Sequence, residues 1–480
     1  MSPDYEIPRQ KILARLRFEN PWWISGQIPE DIHRMPRRLY FDLFFPKVFD
    51  LELRRAIVLM GPRRVGKTIM LYHTIQRLID RGVHPQDIVL VSIDNPIYIH
   101  KSLEDLMHLA LDTLSNANPK GKFFLFDEIQ YLPGWEAHLK VLVDSYPKTK
   151  FVVSGSAAAT LKMKSKESGA GRFHDFMLPP LTFQEFLHLQ SKEHLMRPVT
   201  ISFEKKEIPF YDTIDIRQLN DEFLDYLNFG GYPEVLFNQT IRQNLSAFIR
   251  DDIIDKVLLR DLPGLYGIRD ARALNRFFVY LAFNTGKEFS LQKIAKDSGL
   301  RKEEIKKYLE YFETAYLIKI VHKIDENARQ FKRITGFKVY LTNPSLRTAL
   351  FSPIKSTDNE IGSLVETAIF AQWMHRSKIR LHYAKWRIGQ KEGEVDMVNL
   401  SDSNLKPAWA LEIKWSNRYV DAPRGLRSLI AFCQANRLQS AIVTTIDQTD
   451  KKNIDGINLY YFPASVYAYV VGANTLVYKG

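Results

Sequence analysis

Residues 56–79 leave the chain little choice of fold. The apolar run Ala56-Ile-Val-Leu-Met60 leads straight into Gly61, Pro62, Arg63, Arg64, Val65, Gly66, Lys67 and Thr68, and a helical pattern runs on from Ile69 to 79. Glycine near each end of the loop lets backbone N–H groups converge on one point, and the start of the helix adds positive potential there. A strand, loop and helix of this kind cradle phosphates. Lys67 is expected to neutralise the β- and γ-phosphates and the Thr68 hydroxyl to ligate Mg²⁺, while residues 61–69 as a whole wrap the nucleotide. The expected cofactors are ATP and Mg²⁺. Further apolar runs at 88–93, 123–126 and 150–154 alternate with helical stretches, the pattern of a parallel sheet covered on both faces.

The second of these chemistries lies at the end of one such run. Lys122-Phe-Phe-Leu-Phe126 stops at Asp127 and Glu128, and two carboxylates closing an apolar strand make poor packing. Asp127 is expected to hold Mg²⁺ through water, and Glu128 to polarise the attacking water. The run 150–154 ends in hydroxyls, so Ser154 or Ser156 would sense the γ-phosphate, although each serine alone suits a helix cap or loop equally well.

In order along the chain, GPRRVGKT, FLFDEIQYLPGW, FVVSGSAAA and GAGRFHDFMLPPLTFQEF resemble the prokaryotic AAA+-like ATPases with an AAA_14-type N-terminal ATPase domain and a DUF4143-type C-terminal region. The resemblance implies an α/β P-loop NTPase sheet of the AAA+/ASCE type, in which the strand carrying Asp127 is not adjacent to the strand before the loop. It implies a helical lid opening near Gly230-Gly-Tyr-Pro-Glu234, with Arg250 and Arg260 as candidates for its sensor. It also places Arg172 where such proteins carry an arginine finger, which would reach a neighbouring subunit in a ring or other oligomer such as a hexamer. The alternative for Arg172 is a surface ion pair.

The C-terminal half carries two more modules. Ser290 can cap a short helix, and 302–315 is amphipathic, with Ile305, Leu309 and Phe312 on one side and Arg301, Lys302, Lys306 and Lys307 on the other side or at its start. With strands expected at 317–323 and 337–341, this reads as a winged helix-turn-helix, whose cations, together with Lys332 and Arg333 of the wing, would meet DNA phosphates. A protein-binding winged helix with a solvated charged face is the other reading. Farther on, Glu366 on a helix, Asp396, and Glu412-Ile-Lys414 on a strand resemble the PD-(D/E)XK core of restriction-endonuclease-like α/β domains. Glu412 and Lys414 share one face of a strand. Glu366, Asp396 and Glu412 would bind Mg²⁺ with Lys414 orienting water; the alternative is a nuclease-like fold used only for binding.

The expected division is an extension at 1–50, the ATPase core at 51–190, linker and lid at 191–288, the winged helix at 289–345 and the nuclease-like domain at 346–480. The single cysteine, Cys433, rules out internal disulfides and cysteine-rich zinc sites, and with no long apolar run or apolar leader the expected location is cytoplasmic, without a membrane partner. The net charge is +12, and ten of those twelve charges fall within 289–480, which favours a nucleic-acid partner for the C-terminal half. The leading expectation is an oligomeric ATPase that remodels or translocates DNA, as in branch migration. The alternatives are an ATP-dependent nuclease of defence or mobile-element biology, and a nucleotide-gated switch without motor activity.

Overall fold

The structure, a computed structural model, describes residues 7–115, 118–155, 171–204, 206–329, 336–376, 379–388 and 391–477. The chain packs as two compact units, residues 1–179 and 180–480.

The first unit is built on five strands: β1 (Ala56–Met60), β2 (Ile88–Ser92), β3 (Phe123–Asp127), β4 (Lys150–Gly155) and β5 (Phe173–Met177). Their order is β2-β3-β4-β1-β5 and every pairing is parallel. β4 lies between β1 and β3, as the resemblance implied, so the loop after β1 and the carboxylates after β3 face each other across one intervening strand. The β1 to β4 side chains are almost wholly buried because helices cover both faces. β5 has polar His174 and Asp175 at its centre, and pairing with β1 makes it the sheet's edge.

The other edge, β2, is closed by the N-terminal residues, which the sequence presents only as an extension. The Asn20 side chain forms two hydrogen bonds with the Leu90 main chain, donating to O at 2.8 Å and accepting from N at 2.7 Å, much as another strand would. The indole N–H groups of Trp22 and Trp23 both donate to Ile88 O, at 3.0 and 2.9 Å. An exposed edge invites pairing with other chains, and these side chains consume it.

The second unit starts with the helix Phe183–Leu189, whose Phe183 and Phe186 pack on Phe223 and Tyr226 of the helix Ile216–Phe229. That packing moves the boundary from the expected 190 to 179. The polar stretch beyond it is a hairpin, β6 (Met196–Phe203) and β7 (Lys206–Thr213), rather than a linker. Phe203, Phe210 and Tyr211 of the hairpin lie on Tyr460, Phe462 and Tyr469, respectively.

Where a winged helix is expected, the chain forms helices Ala271–Phe283, Leu291–Ser298 and Lys302–Thr314 with β8 (Glu288–Phe289), β9 (Ile318–Ile324) and β10 (Phe337–Leu341). Ile305, Leu309 and Phe312 are buried, and Phe312 meets Phe277 and Phe278. It is not separate from the C-terminal strands. β11 (Arg380–Ile388), β12 (Lys391–Leu400), β13 (Pro407–Glu412), β14 (Ser440–Thr445), β15 (Asp450–Ile454) and β16 (Ile457–Pro463) continue the same sheet. Its order is β15-β16-β14-β13-β12-β11-β9-β10-β8, joined by parallel pairing of β9 with β11 at His322↔His382. The proposed division at 345 therefore cuts a continuous nine-stranded sheet.

Asn20→Ala should lower the stability of the first unit by about 2–4 kcal/mol, because it strands a buried N–H and C=O on β2. Urea unfolding checks this; an unchanged midpoint would show that the edge is closed without Asn20.

Candidate functional site

The strand order brings the carboxyl ends of β1, β3 and β4 together. Gly66 takes φ 92° and Arg64 φ 64°, so the loop turns sharply before the helix Lys67–Asp80. Lys67, which is 5% exposed, folds its ammonium back onto the loop and donates to Gly61 O at 3.1 Å and Pro62 O at 2.7 Å. Asp127 closes β3, and each of its oxygens is engaged. Thr68 Oγ1 donates to Oδ2 at 2.7 Å, while Oδ1 accepts from Ser154 Oγ and from Glu128 N at 3.1 Å. Ser154 thus helps to orient the carboxylate. Glu128 adopts φ 54°, and its Oε2 accepts from Gln130 Nε2.

Thr68 and Asp127 fit an Mg²⁺ ion in kind: a hydroxyl and a carboxylate in contact at the loop mouth, oxygen donors of the type this cation takes alongside water and phosphate. The site depends on close backbone approach. A Cβ on Gly61 would sit 2.1 Å from the carbonyl oxygen of Leu178, just after β5. Arg38, buried at 6% exposure, braces the same place. Its guanidinium donates to Val65 O inside the loop at 2.8 Å and to Pro179 O at 3.0 Å. The basic cluster around Arg38 is visible in the sequence, but its role is not. Its partners lie 27 and 141 residues away, and no local pattern points to them.

Arg172 stands apart from this constellation. The β1–β5 register, Ala56↔Phe173 to Met60↔Met177, puts it at the opposite end of β5 from the phosphate loop. There its Nε donates to both carboxylate oxygens of Asp144, at 2.7 and 2.9 Å. Ser156 lies outside the described residues, as do Lys332 and Arg333. On the winged helix, Arg301, Lys302, Lys306 and Lys307 are all exposed. Two of them are spent locally: Arg301 pairs with Glu304 and Lys306 with Glu303. Among the described residues, no ion pair engages Lys302 or Lys307.

The four nuclease-like positions come together in the second unit. Lys414 Nζ spans Asp396 at 3.0 Å and Glu412 at 2.8 Å, and Asp396 also accepts from Ile413 N at 2.8 Å. Burial and then the charge of Asp396 push the Glu412 carboxyl up to about 8. For Lys414 burial alone would favour the neutral amine, but Asp396 and Glu412 outweigh it and hold the ammonium. Glu366, half-buried, accepts a hydrogen bond from Tyr340 at 2.6 Å and pairs with Lys338 at 3.1 Å; desolvation raises its pKa too. Glu288, Lys338, Lys385 and Glu394, which no motif in the sequence singles out, extend the cluster.

Residues 53–187 match the family model described as an AAA domain, and residues 220–358 match one described as Domain of unknown function (DUF8612), where the sequence suggested a DUF4143-type region. An uncharacterized protein of Methanocaldococcus jannaschii is 26% identical over 381 residues, covering 77% of this chain and 78% of that protein. An uncharacterized protein of Haemophilus influenzae is 25% identical, covering 60% and 68% respectively. Among solved structures, the Aeropyrum pernix ORC2 protein in its ADPNP–ADP complexes is similar with TM-score 0.38 and 11% identity, covering 68% of this chain and 95% of that one. The Hsp104–ADP complex of S. cerevisiae has TM-score 0.31 and 15% identity, covering 63% and 41%. The first unit has an AAA-type P-loop fold, as its strand order, loop and matched family model agree.

Arg38→Ala would leave two loop-side carbonyls without their charged donor, at a cost of about 1–3 kcal/mol. Binding of a fluorescent ADP should weaken about tenfold with circular dichroism unchanged, and Arg38→Lys should recover only part. Wild-type affinity in Arg38→Ala would show that the loop holds its shape without this brace.

Proposed function

We propose that the chain is an oligomeric Mg-ATP-hydrolysing ATPase that acts on DNA. The observation that carries the nucleotide half is the Thr68–Asp127–Ser154 contact at the mouth of a loop whose lysine is buried beside it. Bound triphosphate would draw Lys67 from the carbonyls of Gly61 and Pro62, exchanging neutral acceptors for charged ones. Mg²⁺, when bound, would neutralise charge between the β- and γ-phosphates, held by Thr68 and by Asp127 directly or through water. Glu128 would orient and polarise the attacking water, and its contact with Gln130 fixes where that carboxylate rests. Arg172 faces away from its own loop, which suits action on a neighbouring subunit; release from Asp144 would then accompany assembly. The helices that follow Gly230, from Pro233 to Phe283, would serve as the lid.

The DNA half rests on the winged helix and on the positive charge of residues 289–480. Remodelling or translocation of DNA, branch migration among its forms, is the motor activity that this combination would serve. An ATP-dependent nuclease is the second reading. In its favour, the helix Ile361–Trp373, β11, β12, β13 and β14 gather Glu366, Asp396, Glu412 and Lys414; against it, lysines already neutralise those carboxylates. A slow nucleotide-gated switch is the third.

ATP turnover measured with linear, forked, four-way and single-stranded DNA separates these readings. Wild type should be DNA-stimulated, and Lys67→Ala should lose nucleotide binding by about 100-fold or more. Glu128→Gln should keep ATP affinity while turnover falls about 100-fold or more, the usual contribution of a general base. DNA-independent, slow turnover with tight nucleotide retention would favour the switch. Normal turnover in Glu128→Gln would dismiss Glu128 as the water-polarising group.

A further inference from the structure

We propose that Lys338 is the resident cation of the carboxylate cluster in the second unit, and that it excludes a divalent ion from it. Lys338 belongs to the wing strand β10, yet its side chain is only 5% exposed, and its ammonium reaches Glu366 at 3.1 Å and Glu394 at 2.9 Å. It also lies 5.3 Å from the centroid of the Tyr383 ring, a further favourable place for a cation. Five carboxylates (Glu288, Glu366, Glu394, Asp396 and Glu412) meet four ammonium groups (Lys323, Lys338, Lys385 and Lys414). The network is close to charge balance without any metal.

A buried lysine on a strand is a poor choice for packing alone, since an apolar side chain of similar volume would avoid the desolvation cost. What the ammonium gains here is the set of carboxylates that a nuclease-like site would turn toward Mg²⁺. As arranged, these residues do not fit such an ion. Lys338 sits on Glu366, Lys414 sits on Asp396 and Glu412, and among the described residues no three acidic, histidine or cysteine side chains form a group that could hold a metal. The residual acceptor is Glu412 Oε2, buried without a hydrogen-bond partner. Removing the Lys338 charge would leave Glu366 and Glu394 without their shared ammonium, in the same cluster as Asp396 and that oxygen, and a divalent cation is the chemistry that would answer them.

The probe is Mn²⁺, titrated into nucleotide-free full-length protein carrying Lys67→Ala and followed by loss of the free-Mn²⁺ paramagnetic resonance signal. The parent should show no binding that depends on Asp396. Adding Lys338→Met or Lys338→Gln should create one site at least tenfold tighter than any in the parent, and a further Asp396→Asn should abolish it. Lys338→Arg, which keeps the charge, should behave as the parent. Circular dichroism identifies variants that fold. Asp396-dependent Mn²⁺ binding by the parent overturns the proposal whatever the variants do, and so does the absence of a new site in a folded Lys338→Met or Lys338→Gln protein.

Discussion

The Asp127 carboxylate ties the nucleotide-binding unit together. One oxygen receives the hydroxyl of Thr68 from the first turn after the phosphate loop, and the other receives Ser154 from the strand between. Three separate strand ends are fixed to one another at that point, which is also where a metal-bound triphosphate would sit. A buried carboxylate is tolerable only when it is hydrogen-bonded, so the contact stabilises the sheet's carboxyl edge and aligns the chemistry with the same atoms. The Arg38 brace and the close approach of Leu178 to Gly61 then hold the loop against the exit of β5.

The second unit poses the reverse problem, a surplus of charge with little water. Its nine-stranded sheet runs from the wing into the nuclease-like strands, so lysines and carboxylates from modules far apart in sequence share one interior. Breaking one member of such a network leaves the rest uncompensated, which makes it sensitive to single substitutions. The basic face of the winged helix is weaker than its composition suggests, since Arg301 and Lys306 are paired within their own helix. DNA contact there would begin from Lys302 and Lys307.

Legibility in the sequence was a matter of range. The loop 61–68 and the pair Asp127-Glu128 were legible because each is a local pattern whose chemistry needs fixed neighbours. The helix Lys302–Thr314 was legible through the spacing of Ile305, Leu309 and Phe312, all buried as that spacing requires. Asn20 was not, because its partner Leu90 is 70 residues away and an asparagine after a helix has many uses. The hairpin β6–β7 read as a linker because one of its two faces is polar, which hid the apolar residues that alternate with it. The joining of β9 to β11 and the arrival of Lys338 at Glu366 leave no trace in local spacing. Of the nuclease-like cluster, Glu366, Asp396, Glu412 and Lys414 were found from their order; the lysine that neutralises Glu366 was not.

A double-mutant cycle on Mg-ATP affinity, with Thr68→Ala, Asp127→Asn and the pair, tests most directly whether Thr68 and Asp127 act as one unit in holding the nucleotide. If they do, each single change should remove most of the Mg²⁺-dependent affinity, and the pair should lose little more, with a coupling energy of about 1 kcal/mol or greater. Additive losses would contradict it and would leave the contact at the loop mouth as packing alone.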